Sequence, residues 1–92
     1  MNAALRQQLA AAAEDVRLRE ILTFLYRDHP QGASFEGLKE MLYLHEDFKE
    51  ESLQQLLQDK ILMVAGDRYK LSADARQILD RDPVILMDEF LR

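Results

Sequence analysis

The sequence contains no cysteine, and this absence excludes a disulfide framework, a thiolate zinc site and catalysis by a cysteine nucleophile. It has only three glycines and two prolines, too few for a collagen-like chain or a Gly/Pro-rich disordered one. The longest apolar runs, at residues 61–65 and 84–87, fall far short of the roughly 20 residues that span a bilayer. Polar residues at 6–8 interrupt the first apolar segment. A signal peptide would have an uninterrupted apolar region there. We therefore expect a cytoplasmic protein with no membrane partner.

The residues that are present predict one compact, helix-rich domain. The chain has 92 residues, of which 48% are hydrophobic and 32% are charged, and this balance is typical of a globular domain with a single core. We expect an N-terminal helical extension at residues 1–14, a core at 15–80 and an apolar C-terminal helix at 82–92. Twelve basic residues against 17 acidic ones leave a net charge of −5, which bears on the choice of partner.

Apolar residues at helical spacing predict a helix at residues 15–28, ended by the His-Pro-Gln-Gly segment at 29–32. Its buried stripe consists of Leu18, Ile21, Leu22 and Leu25. An upstream stripe, almost opposite on the same helical wheel, consists of Leu5, Leu9, Ala12 and Val16. One straight helix cannot bury both stripes in one small core. The sequence therefore leaves two alternatives: a break near residues 13–15, or a continuous helix whose first half packs outside its own core.

Two capping patterns predict the next two helices. Ser34 is suited to cap a second helix that runs through Leu38, Met41 and Leu42. Asp47, with Glu50 three positions later, has the pattern of a capping box and predicts the start of a third helix. That third helix should run to about residue 59, with an inward face formed by Leu53, Leu56 and Leu57.

The pattern changes after residue 59. Short apolar runs at 61–65 and 69–71 flank the turn residues Gly66, Asp67 and Arg68 and predict a two-stranded hairpin. Ser72 should cap a fourth helix that buries Ala75, Ile78 and Leu79. Asp82 and Pro83 form a cap and first-position pair that predicts a last short helix ending at Arg92.

Two segments resemble the winged helix-turn-helix superfamily. They are Leu57-Gln58-Asp59-Lys60-Ile61-Leu62 and Tyr69-Lys70-Leu71-Ser72-Ala73-Asp74-Ala75-Arg76. The resemblance covers about half of the chain and implies an α+β, mainly helical fold: a three-helix core, a two-stranded wing, and extra N- and C-terminal helices. Two positions depart from the family pattern. Lys60 stands where a helix-ending glycine is usual, so the chain must turn there despite a Cβ, and Ala75 replaces a second glycine.

The resemblance implies a non-enzymatic, DNA-binding transcription regulator whose third helix enters the major groove. Bases would be contacted by Ser52, Gln55 and Gln58, and phosphates by Lys49, Arg68 and Lys70. Further cations, as candidates for a basic margin, are Arg17, Arg19, Arg27, Lys39 and Arg76.

Charge opposes that role. Around the third helix, five carboxylates against two lysines give a net charge of −3, whereas DNA affinity depends on neutralising phosphates. The sequence therefore keeps a second function open: an acidic winged-helix adaptor that does not bind DNA and holds a protein partner, such as a basic one, through its acidic helix or its apolar termini.

The apolar terminal segments are more than one small core needs, and they predict a symmetric homodimer. The candidate interface residues are Leu5, Leu9, Val16, Ile85, Leu86, Phe90 and Leu91. The alternative is that the two ends pack on each other within one chain.

The sequence shows no constellation for catalysis. His29 and His45 are the only imidazoles, and neither has a second histidine at metal-ligand spacing. We interpret His45 as a turn residue between the second and third helices. The three glycines stand alone, so no phosphate-binding loop is present. We expect a protein without enzymatic activity, metal or cofactor.

Overall fold

The computed structural model describes residues 3–87, which form a mainly helical α+β fold. A two-stranded antiparallel sheet lies between the helical segments. The elements are α1 (Ala3–Ala12), α2 (Val16–Thr23) continued by a π-helical turn (Phe24–Asp28), α3 (Phe35–Met41), a 3₁₀ turn (Glu50–Leu53) leading into α4 (Gln54–Gln58), β1 (Leu62–Ala65), β2 (Arg68–Leu71), α5 (Ala73–Arg81) and a 3₁₀ segment (Pro83–Leu86). No helix within residues 3–87 has the length and apolar character needed to cross a bilayer.

The chain breaks between α1 and α2, as the first of the two alternatives expected. Asp15 caps α2, because its carboxylate accepts hydrogen bonds from the backbone N–H groups of Arg17 at 2.9 Å and Leu18 at 3.2 Å. The fully buried Ala13 lies in the turn. This change of direction lets both apolar stripes face one core, so Leu5 and Leu9 are buried together with the stripe of α2.

The predicted helix at 15–28 is confirmed in extent, but its last turn is π-helical. The N–H of His29 donates to the carbonyl of Phe24 at 2.9 Å, five residues back. The guanidinium of Arg76 on α5 donates to the carbonyl oxygens of Leu25 and Tyr26 at 3.0 and 3.2 Å. These bonds satisfy carbonyls at the helix end that lack an intrahelical partner and fix α5 against it.

Ser34 caps α3 as predicted, because its hydroxyl oxygen accepts from the N–H of Gly37 at 3.0 Å. The predicted start of the third helix is wrong. The helix begins at Glu50 rather than after Asp47, because residues 45–48 form a turn that places Phe48 in the core at 2% exposure. The turn is closed by the Phe48 N–H, which donates to the carbonyl of His45 at 2.8 Å, so His45 is a turn residue as interpreted.

Two helices end on residues with a left-handed backbone. Tyr43 follows α3 with φ 53°, and Lys60 follows α4 with φ 61°. In each case the N–H of the next residue donates to a carbonyl five residues back, from Leu44 to Lys39 and from Ile61 to Leu56. This is the Schellman arrangement, in which glycine is usual because a Cβ is strained there. The strain expected at Lys60 is confirmed, whereas that at Tyr43 was not anticipated.

The hairpin has the predicted place in the chain, with Leu62 paired to Leu71 and Ala65 to Arg68. Arg68 therefore begins β2 and is not a turn residue, which corrects the predicted turn to Gly66 and Asp67 alone. Gly66 has φ 65°, as the first position of a tight two-residue hairpin turn requires. Residue 33 extends the sheet, because Ala33 and Tyr69 exchange backbone hydrogen bonds of 3.0 and 2.8 Å.

The described parts of both termini pack into the same core. Leu5, Leu9 and Ile85 are at most 5% exposed within the chain. Their prediction as dimer-interface residues is therefore corrected in favour of packing within one chain, since buried side chains are not available to a second copy. Val16 is 57% exposed and Leu86 is half-buried. Phe90, Leu91 and the predicted helix end at Arg92 lie outside the described residues.

Ser72 caps α5 as predicted, because its hydroxyl oxygen accepts from the N–H of Ala75 at 3.1 Å. Pro83 starts the following segment, which is a 3₁₀ turn rather than an α-helix within the described range. Asp82 makes no side-chain cap. Its carboxylate pairs instead with the guanidinium of Arg6 on α1, so it joins the two ends of the fold.

Candidate binding surface

The third-helix segment, residues 50–58, presents a polar surface to solvent. Leu53 and Leu56 anchor it in the core. The exposed side chains are Glu50, Glu51, Ser52, Gln54, Gln55 and Gln58. They include the three predicted base contacts, Ser52, Gln55 and Gln58. The Gln55 amide donates to the Asp59 carboxylate at 3.0 Å, so one of these groups is already engaged within its own helix.

A side-chain bond joins the third-helix segment to the hairpin. The Tyr69 hydroxyl on β2 donates to the Glu50 carboxylate at the start of the helix. This bond is the main reason that the pKa of Tyr69 is raised to about 12, and partial burial adds to the effect. The Tyr69–Glu50 bond joins the hairpin to the third-helix segment, and the backbone hydrogen bonds between Ala33 and Tyr69 join it to the start of α3.

The two faces of the hairpin differ in chemistry. The face that carries Tyr69 also carries Leu62, Val64 and Leu71, since cross-strand partners share a face. Arg68 and Lys70 lie on the opposite face with Met63 and Ala65. Tyr69 contacts the third-helix segment, so Arg68 and Lys70 point away from it. The structure thus separates the predicted phosphate contacts of the wing from the predicted base contacts of the helix.

The cations proposed as a basic margin each contact a different part of the fold. Arg76 lies over the Tyr26 ring at 5.1 Å from its centroid, where it also bonds the helix-end carbonyls. Arg17 lies 5.4 Å from the Phe48 ring centroid, and Lys39 5.5 Å from that of Phe35. The two rings stack at 6.2 Å, so Arg17 and Lys39 flank an aromatic pair. Arg19 donates to the carbonyl of Ala13 at 3.1 Å, and Arg27 lies 3.9 Å from the Asp28 carboxylate.

Exposed carboxylates are concentrated in the stretch of chain that leads into the third helix. Residues 40–51 contain one lysine and five acidic residues, a net charge of −4. We call this the acidic surface; its members are Glu40, Glu46, Asp47, Glu50 and Glu51, all exposed. The only lysine or arginine in this stretch is Lys49, also exposed. Glu50 accepts from the hydroxyl of Tyr69, and Asp47 lies 3.3 Å from Nδ1 of His45. Among residues 3–87, the carboxylates of Glu40, Glu46 and Glu51 have no such partner, so their charges face solvent.

Tyr43 lies within this acidic surface and was missed by sequence reasoning. Its side chain is 92% exposed, and Met41 beside it is 51% exposed. The segment that follows α3, residues 42–47, also contains His45, whose Nδ1 lies 3.0 Å from the backbone nitrogen of Asp47 and 3.3 Å from its carboxylate. The sequence contained one signal for the unusual backbone of Tyr43: no glycine stands at the end of α3.

Neither histidine takes part in a metal-binding cluster: residues 3–87 contain no group of three or more histidine, aspartate or glutamate side chains placed to hold an ion. Two open grooves mark the surface. One, of about 540 Å³, lies between α1 and α5 beside Arg6, Ile78 and Arg81, and is spanned by the Arg6–Asp82 pair. The other, of about 360 Å³, lies between Phe24, Leu42 and Leu86. Neither groove brings together an acid, a base and a nucleophile in the arrangement that catalysis needs.

Comparison of the chain with protein-family models, with curated proteins and with solved structures finds no match.

Proposed function

We propose that this chain is a small, non-enzymatic winged-helix regulatory protein whose acidic surface binds a basic segment of another protein. The observation that carries this proposal is the exposed net charge of −4 at residues 40–51, where the third helix begins. Complementary charge at an interface speeds association and selects the partner.

Three features support the winged-helix arrangement. After α1, the element order is three helical segments, a hairpin and a further helix. The hairpin is closed by a two-residue turn, and its second strand pairs on its far side with Ala33, just before α3. The third-helix segment packs beside the hairpin and is bonded to it through Glu50 and Tyr69.

Charge favours a protein partner over DNA at the third helix. The N-terminal end of a recognition helix is the part that approaches base edges, and here that end carries the acidic surface. Phosphates are repelled by such a surface, and the sequence-independent part of DNA affinity is lost. Arg68 and Lys70 do not compensate, because they point away from the third-helix segment.

Charge reversal tests this proposal. The variant carries Glu46→Lys, Asp47→Lys and Glu51→Lys. The ligand is a labelled amphipathic peptide with lysine and arginine on its polar face and leucine and phenylalanine on the other. We expect the variant to lose affinity by about tenfold or more, mostly through slower association, as measured by fluorescence anisotropy at low and moderate salt.

The control variant carries the same charge change at three exposed carboxylates outside the acidic surface, Glu14→Lys, Glu20→Lys and Asp67→Lys. It should keep its affinity within about threefold, because screening limits the reach of distant surface charges. Equal losses in the two variants, or no measurable binding of the basic peptide by the native chain, would refute the proposal.

DNA binding through the hairpin is a second candidate, favoured by the adjacent Arg68 and Lys70 on the outer face of the sheet. It predicts binding to mixed-sequence duplex at about 50 mM salt that weakens with added salt, with a smaller slope in the Arg68→Ala, Lys70→Ala variant. If no binding is detected at that salt concentration, DNA binding through the hairpin is excluded. The proposal that the acidic surface binds a basic segment does not depend on this result.

A further inference from the structure

We infer that Tyr43 is the anchor of the acidic surface, the side chain on which an apolar residue of the basic partner segment docks. This inference rests on the proposed function and adds the residue that determines where the partner binds. It follows from three observations on Tyr43: its backbone, its exposure and its surroundings.

The backbone of Tyr43 is held in a conformation that disfavours a bulky side chain. With φ 53°, it occupies the position after α3 where the Schellman arrangement favours glycine. A large residue with positive φ is an outlier in folded proteins. Strain of this kind persists where the surrounding structure enforces it, and it is concentrated at functional sites.

The folded chain gains little from the Tyr43 ring. The side chain is 92% exposed, and among residues 3–87 its hydroxyl has no hydrogen-bond partner. The other two tyrosines behave differently: the Tyr26 hydroxyl donates to Asp80 at 2.6 Å, and that of Tyr69 donates to Glu50. Tyr43 thus has a conformational cost without a matching contact inside the chain, as expected for a residue that makes its contacts with another molecule.

The surroundings of Tyr43 specify the chemistry of that molecule. Met41 provides exposed apolar surface two residues away, and residues 40–47 contain three carboxylates and no lysine or arginine. Tyrosine is enriched among the residues that dominate binding energy at protein interfaces. An exposed aromatic side chain in a stretch of net negative charge fits a basic, amphipathic segment. A second copy of this chain, with a net charge of −5, and the phosphate backbone of DNA both carry the wrong sign.

The experiment replaces tyrosine by the residue that the backbone prefers. We expect Tyr43→Gly to raise the thermal midpoint, because it relieves the positive φ, and to weaken binding of the basic amphipathic peptide by about tenfold or more, because it removes the ring. Tyr43→Phe should keep the affinity within about threefold. In ¹⁵N spectra of the native chain, the peptide should shift the amide signals of residues 40–47 most strongly.

Lys60→Gly is the matched control, because Lys60 occupies the same helix-end position with φ 61°. It should also raise the thermal midpoint but leave peptide affinity within about twofold, since it removes no interface side chain. The inference is overturned if Tyr43→Gly binds the peptide as the native chain does, or if the shifts lie outside residues 40–47. Charge reversal would then still report on the acidic surface, so failure of the anchor and failure of the proposed function are distinguishable.

Discussion

Gly32→Ala tests the junction that fixes the hairpin to the helical core. Gly32 has φ 95°, and a Cβ built there would lie 2.8 Å from the carbonyl oxygen of Tyr69 and 3.1 Å from the Cβ of Lys70. The obstructing oxygen is part of the backbone and accepts the Ala33 N–H at 3.0 Å. An alanine at position 32 must therefore adopt a left-handed conformation and push the bridge apart.

The expected cost has two parts. The left-handed backbone costs an L-residue about 1–2 kcal/mol, and loss or distortion of one backbone hydrogen bond costs about 0.5–1.5 kcal/mol. We expect Gly32→Ala to lower the free energy of unfolding by about 2–3 kcal/mol in total, which corresponds to a fall of about 10–20 °C in the thermal midpoint for a chain of this size. Urea unfolding followed by circular dichroism measures the free energy directly.

Gly66→Ala is the control for this prediction. Gly66 also has a positive φ, 65°, but a Cβ there would meet nothing within 4 Å. Its cost should be the backbone term alone, about 1 kcal/mol. Hydrogen exchange at the Ala33 and Tyr69 amides should accelerate in the Gly32 variant only. If the two variants lose the same stability, close packing of residue 32 against β2 does not contribute and the reasoning is refuted.

Two further predictions concern Lys60 and Tyr69. Lys60→Gly should raise the free energy of unfolding by about 1 kcal/mol, because φ 61° is strained for any residue with a Cβ; an unchanged urea midpoint would contradict this. Tyr69 has a folded pKa of about 12 against 10.0 unfolded, so its bond to Glu50 stabilises the fold fully below pH 10 and the contribution is lost as the pH rises through 12. Phenolate absorbance in a Tyr26→Phe, Tyr43→Phe background should give a lower Tyr69 pKa when Glu50→Gln is added; no change would exclude Glu50 as its cause.

Local features of the fold could be predicted because their causes are local. The Ser34 and Ser72 caps depend on a hydroxyl and a backbone N–H three residues away. The hairpin depends on a period of two on each side of Gly66 and Asp67. The break before Asp15 was one of the two alternatives left by two apolar stripes that one helix cannot bury on the same side. In each case, a few consecutive residues contain the whole interaction.

The remaining features depend on contacts that no local pattern encodes. Asp47 has the pattern of a helix cap, but burial of Phe48 through the 45–48 turn shifts the helix start to Glu50. Burial of Leu5 and Leu9 requires α1 to fold back onto α5, which the sequence allows but does not require. The outward direction of Arg68 and Lys70 depends on strand register, in which a shift of one residue reverses every side chain.

The acidic surface was visible in the sequence as a charge balance, whereas its organisation around Tyr43 was not. A charge count gives the sign of a surface but does not show which side chain stands at its centre. The strained position of Tyr43 depends on where α3 ends, and no glycine marks that end. A residue that does not stabilise the fold, such as Tyr43, contributes to no hydrophobic or capping pattern that a single sequence would show.

β1 is an edge strand, and this makes the protein prone to aggregate at high concentration. β2 is paired on both sides, by β1 and by Ala33, whereas β1 has a neighbour on one side only among residues 3–87. The unpaired backbone N–H and C=O groups of an edge strand can pair with another chain, which leads to aggregation. Met63 and Val64 add exposed apolar surface on this strand. One feature restrains such aggregation: the strand has only four residues.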